Sequence, residues 1–140
     1  MSMVDEAPRP TSAQTPYDLI GSEVVRQIVD RFYDLMDSDE RYAALRAMHA
    51  DDLEPMRDSL TGFLCAWLGG PRDWFAERPG ICMMSAHARM PIGSDTAGQW
   101  IDAMRRAIGE APLAPALGTR MADALSDLAR AMVRPTAARA

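Results

Sequence analysis

The sequence predicts an all-α, single-domain protein, and three observations carry that prediction. Apolar residues recur at three- and four-residue steps in several separate stretches, the spacing of one helical face. No stretch alternates with the two-residue period of a strand, and β-branched residues are sparse. The length, 140 residues with 48% hydrophobic content, suits one domain with one core.

Met1 to Thr15 is polar and proline-bearing and lacks the apolar centre of a signal peptide. It reads as a disordered leader over 1–15, ahead of a folded domain over 16–134 and a tail over 135–140. Tyr17 to Ile20 allows one short turn, closed by Gly21. Ser22 suits an N-cap. After it Val24, Val25, Ile28, Phe32, Leu35 and Met36 mark one amphipathic helix to about Asp37. Arg41 to Met48 suits a further short helix.

Asp51 or Asp52 opens the next helix, with Pro55 in its first turn, where proline is tolerated. Leu53, Met56, Leu60, Phe63, Leu64 and Trp67 line one face, and Gly69-Gly70-Pro71 stops it. Arg72 to Met90 is less regular and carries the break Pro79-Gly80. Ser94 suits an N-cap for a helix carrying Trp100, Ile101, Met104 and Ile108, ended by Gly109. Leu117, Met121, Leu125, Leu128 and Met132 carry the last helix, and Pro135 marks its end. The expectation is five or six helices with a loose middle and no internal repeat.

Net charge is −5 and no basic stripe is present, which argues against a nucleic-acid partner. No apolar run approaches the roughly 20 residues needed to cross a bilayer, so no membrane role is expected and the location expected is cytoplasmic. Cys65 and Cys82 make no disulfide framework. With two histidines they supply four possible zinc ligands, but no C-x-x-C pair is present and that signal is weak. The 11 methionines fit either a soft helical core or pliable walls around a large flat ligand.

His87, in Ser85-Ala86-His87-Ala88-Arg89, is the residue with the most chemical potential, because imidazole is a common metal ligand. Alone it is more often an ordinary histidine, and its surroundings decide. Thr15-Pro16-Tyr17-Asp18-Leu19-Ile20-Gly21 and Arg31-Phe32-Tyr33-Asp34-Leu35-Met36 are followed by Phe63-Leu64, then Trp67-Leu68-Gly69-Gly70-Pro71. His87, Pro91-Ile92-Gly93 and Trp100 with Met104-Arg105-Arg106 come next. His87 lies 18 residues beyond Gly69, and Trp100 lies 13 beyond His87. This ordered set resembles the second group of truncated globins from about Pro16 to Ile108; the last helix matches in pattern only.

The resemblance implies a helical sandwich around haem b, with His87 as the proximal ligand of the iron. It places Tyr33 at the distal tyrosine and Trp100 at a tryptophan whose N–H points toward bound ligand. His49, preferred over Met48, falls at the haem edge, and Met56, Leu60, Phe63, Met84 and Met104 fall in the haem pocket. Each residue also has a plainer reading. Tyr33 suits a half-buried tyrosine with a surface hydroxyl, Trp100 a core anchor, and Met56 and Leu60 core positions in almost any helical fold.

The small ligands implied are oxygen, nitric oxide or sulfide. Two alternatives stay open: a haem-dependent redox enzyme (nitric oxide dioxygenase or peroxidase-like) served by an external reductase, and a haem-free regulatory helical protein. The family's basic residues before the proximal His, which commonly pair with the haem propionates, are absent from Pro79 to Ala86. Arg72, Arg78 and Arg89 are the candidate substitutes. Oligomeric state has no signature in the sequence.

Overall fold

A computed structural model describes residues 14–78 and 92–133, and these are helical, with no strand among them. Helix α1 (Pro16–Ile20) starts from a reciprocal cap. The Thr15 hydroxyl accepts the Asp18 N–H and the Asp18 carboxylate accepts the Thr15 N–H, each at 3.0 Å. Gly21 closes α1 and caps α2 (Ser22–Ser38), so Ser22 is the first helical residue rather than the cap. Of the stripe expected on α2, Val25, Ile28, Phe32, Leu35 and Met36 are buried and Val24 is only partly so, while Val29 and Tyr33, outside that stripe, are buried with them.

The Arg41–Met48 segment divides into a 3-10 turn (Glu40–Tyr42) and α3 (Ala43–Arg46). Helix α4 (Glu54–Trp67) is capped by Leu53, while the Asp52 carboxylate accepts the Glu54 N–H at 3.0 Å. Pro55 occupies its first turn. A helix of four residues, α5 (Asp73–Ala76), forms within the stretch read as irregular. Helix α6 (Ser94–Gly109) is capped by Gly93 rather than Ser94, with the Thr96 hydroxyl bonded to both the N–H and the C=O of Gly93. Helix α7 (Pro115–Ala131) has proline in its first turn and ends at Ala131; the stop expected at Pro135 lies outside the described residues.

The architecture is two helix pairs, α2 with α4 and α6 with α7, stacked through α2 on α6. Phe32, fully buried, is the aromatic centre of that stacking. Its ring lies edge-on to Trp100 of α6 at 5.3 Å. A polar clamp ties the 3-10 turn to α6: the Tyr42 hydroxyl donates to Asp102 and accepts from Arg106 Nη1, which also bonds Asp39. Leu45 N–H of α3 donates to Gln99 Oε1 of α6 at 2.9 Å.

The double glycine ends α4 and also admits the chain's entry. Tyr17 N–H donates to Leu68 C=O at 3.0 Å. A Cβ on Gly69 (φ +100°) would stand 2.8 Å from Thr15 Cβ, and one on Gly70 would stand 2.6 Å from the Tyr17 ring. The motif around Thr15–Tyr17 and the Gly-Gly pair are thus two halves of one contact, possible only without side chains at 69 and 70. No helix among the described residues is long and apolar enough to cross a membrane.

Candidate ligand-binding cavity

Between the two helix pairs lies a cavity of about 330 Å³. Helix α2 gives it Tyr33. The end of α3 and the chain beyond give Leu45, Met48 and His49. Helix α4 gives Met56, Ser59, Leu60, Phe63 and Leu64, and α5 gives Trp74. The far wall is Thr96, Ala97 and Trp100 of α6 with Leu125 and Leu128 of α7. Its lining is largely apolar with a few hydrogen-bonding groups, the usual make-up of a small-molecule site.

Phe32 and Tyr33 are neighbours on α2, so their side chains leave the helix in different directions. Phe32 fills the core, and Tyr33 turns its ring to the cavity at 4.9 Å from Phe32. Tyr33 is 3% exposed as a residue and lines the cavity, and its hydroxyl makes no hydrogen bond to any described residue; it is no sealed orphan, since no fully buried side-chain oxygen or nitrogen among the described residues lacks a partner. Burial pushes its pKa up to about 12, against the opposing effect of the Arg57 guanidinium, whose carbon lies 5.8 Å from the ring centroid. The phenol therefore keeps its proton at neutral pH and remains a donor. Trp100 Nε1 likewise has no acceptor among the described residues, on a side chain that lines the cavity.

His49 meets Tyr33 edge to face, ring centroids 5.9 Å apart. Its Nδ1 lies 2.9 Å from the Leu45 carbonyl oxygen. A carbonyl only accepts, so Nδ1 carries the hydrogen. Burial lowers the imidazole pKa, and the Arg46 charge lowers it further against the opposing Leu45 bond. The neutral ring then presents Nε2 as an acceptor.

Tyr33, His49, Met56, Leu60, Phe63 and Trp100, singled out in the sequence, line this one cavity. Met56 is 38% exposed and Leu60 only partly buried, so neither is an ordinary core residue. Met104 is buried at 1% exposure in the core and is not part of the cavity wall. His87 and Met84 lie outside the described residues. Ser59, Leu64, Trp74 and the α7 wall were missed. The α7 residues were legible as an apolar stripe, whereas Trp74 had no periodic signal in so short a helix.

These residues fit a haem. The apolar side chains of α4, α6 and α7 suit the body of a porphyrin, and the hydrogen-bonding groups of Tyr33, Trp100 and His49 come from separate elements to the same space.

The comparisons agree with the geometry. Residues 15–134 match the family model described as bacterial-like globin. Group 2 truncated hemoglobin YjbI of Bacillus subtilis (strain 168) is 29% identical over 127 residues, covering 91% of this chain and 94% of its own. A cold-adapted truncated hemoglobin from the Antarctic marine bacterium Pseudoalteromonas haloplanktis TAC125 superposes with a TM-score of 0.83 at 30% identity, over 86% of this chain and 98% of its own. A truncated oxygen-avid haemoglobin from Bacillus subtilis gives a TM-score of 0.79 at 28% identity, over 86% of this chain and 100% of its own.

Proposed function

This chain belongs to the bacterial-like globin family and is a group II truncated haemoglobin, and from that premise we propose that its cavity holds haem b, with His87 ligating the iron and Tyr33, Trp100 and His49 on the ligand side. Haem held there would supply an iron able to bind oxygen or another small ligand, such as nitric oxide or sulfide. The rest is done by the chain's own side chains.

The observation that carries this reading is the Tyr33 phenol, which keeps its proton and lines a largely apolar cavity with its hydroxyl bonded to no described residue. A donor open to such a cavity is free to bond what the cavity takes up. A small ligand bearing partial negative charge is a suitable partner, and Tyr33 O–H and Trp100 N–H are the two donors for it. His49 plays a different part. Its Nδ1 hydrogen is committed to Leu45, so it contributes an acceptor, suited to the hydroxyl of Tyr33 or to a water rather than to the ligand. The apolar residues around these donors limit water, which strengthens their hydrogen bonds.

This arrangement favours tight holding and slow release of oxygen, and one structural relative is described as oxygen-avid. The test is a visible absorption spectrum of the purified protein, before and after reconstitution with haem. A Soret band that shifts on reduction and again under oxygen is the expected result. Its absence after reconstitution would overturn the reading.

A further inference from the structure

A cavity that takes haem b must also deal with two propionates, and an ionised carboxylate leaving water needs charge-assisted donors. No arginine among the described residues lines the cavity. All 15 basic residues of the chain are arginine, so among the described residues a counter-charge can stand only at the rim. Eleven arginines fall among the described residues. Eight of them, Arg26 and Arg57 included, already sit within 3.4 Å of a carboxylate. Arg72 and Arg120 pair with no described carboxylate, and Arg78 has only the exposed Glu77 beside it at 3.6 Å.

Of these three, Arg78 stands against the cavity wall. Its guanidinium carbon lies 4.6 Å from the ring centroid of Trp74, and Trp74 lines the cavity. Arg72 stacks instead on Phe75, also at 4.6 Å, and Phe75 is not in the wall. Arg78 Nη1 donates to the Trp74 carbonyl at 3.0 Å, which fixes the side chain and leaves Nη2 and Nε without a described acceptor. The indole is fixed from α4 as well: Trp74 Nε1 donates to Ser59 Oγ at 3.0 Å. Ser59 lines the cavity too. Its oxygen is occupied by the indole N–H, while its own hydrogen goes to no described acceptor.

We propose that Ser59 and Arg78, joined through the Trp74 indole, form the carboxylate-binding corner of the cavity. The Ser59 O–H and the uncommitted N–H groups of Arg78 donate to a haem propionate there. The proposal rests on the haem reading above and deepens it. It replaces the basic residues missing from Pro79 to Ala86 with Arg78, just beyond α5.

Haem loss from the ferric holoprotein to an excess of apoprotein acceptor tests the corner, with native haem and with haem dimethyl ester, whose carboxylates are blocked. Arg78→Gln and Ser59→Ala should each speed loss of native haem by about two- to fivefold, the range of one partly exposed ion pair. Neither should change loss of the ester. Equal acceleration with both haems assigns Arg78 to packing on Trp74 and overturns the corner, as does unchanged loss of native haem. If a variant does not fold, the wild type decides alone, since equal retention of native haem and ester also overturns it. The two readings fail differently: without the corner the Soret band persists, and without haem binding it never forms.

Discussion

The Nδ1 of His49 and the carbonyl oxygen of Leu45, 2.9 Å apart, fix which nitrogen of the imidazole carries its hydrogen. Leu45 is itself held, its N–H donating to Gln99 Oε1 of α6. The bond therefore connects the cavity wall to the framework of the fold.

A pH dependence follows. Burial lowers the folded-state pKa of His49 below its ordinary value of 6.5. Between the two values the unfolded chain binds more protons than the folded one. Stability from the neutral ring is thus fully present above about pH 6.5 and is lost as pH falls through the lowered pKa. Urea midpoints at pH 7.5 and 5.5 should show a drop in wild type that is smaller in His49→Gln. Equal drops in both would remove His49 as a contributor.

The α2 stripe was legible because seven of its side chains are buried at helical spacing, a pattern independent of what they pack against. Caps were offset by one residue at Ser22 and Ser94, because backbone groups and neighbouring side chains can replace a cap hydroxyl. At Gly93, which has no side chain to accept a helix N–H, the Thr96 hydroxyl supplies the reciprocal bond by accepting the Gly93 N–H. Met104 shares a helical face with Trp100, but one turn along α6 moves it by about 6 Å, and it is buried outside the described cavity lining. Tyr33, Trp100 and His49 were legible only through an ordered family resemblance, since no local pattern separates a wall tyrosine from a surface one. Ser59 and Trp74 required the fold, because their bond joins α4 to a helix too short to have a period.

The approach of α1 to the double glycine gives a stability prediction. Gly69→Ala places a Cβ 2.8 Å from Thr15 Cβ at a φ of +100° and should destabilise by about 1–3 kcal/mol. Gly98→Ala is the control: it lies within α6 with nothing within 4 Å of its Cβ, and should stabilise by roughly 0.5–1 kcal/mol. Thermal unfolding of the two variants should move in opposite directions.

His87 lies outside the described residues, and its role is predicted from its place in the ordered set of sequence landmarks. His87→Ala should lower haem affinity by at least about tenfold, since losing even the partner of a metal ligand costs roughly 10–100-fold. Added imidazole should restore part of the ferrous spectrum. An unchanged spectrum and affinity would transfer the axial role elsewhere, and His49 is the one other histidine in the chain.

Tyr33 is the sharpest test of the ligand side. A hydrogen bond to a charge-bearing acceptor contributes roughly 1.5–3 kcal/mol, and about 1.4 kcal/mol is tenfold in an equilibrium constant. Tyr33→Phe keeps the ring that packs on Phe32 and His49 and deletes the donor. Oxygen dissociation should therefore accelerate by on the order of ten- to a hundredfold. Carbon monoxide carries far less charge on its outer atom, so its release should change much less. Trp100 softens the loss if its N–H stays on the ligand. The double change Tyr33→Phe with Trp100→Phe should then cost more than either alone, and the excess measures how far the two donors share the ligand. Stopped-flow oxygen off-rates that are equal in wild type and Tyr33→Phe would mean that the hydroxyl serves His49 and not the ligand, leaving Trp100 as the donor.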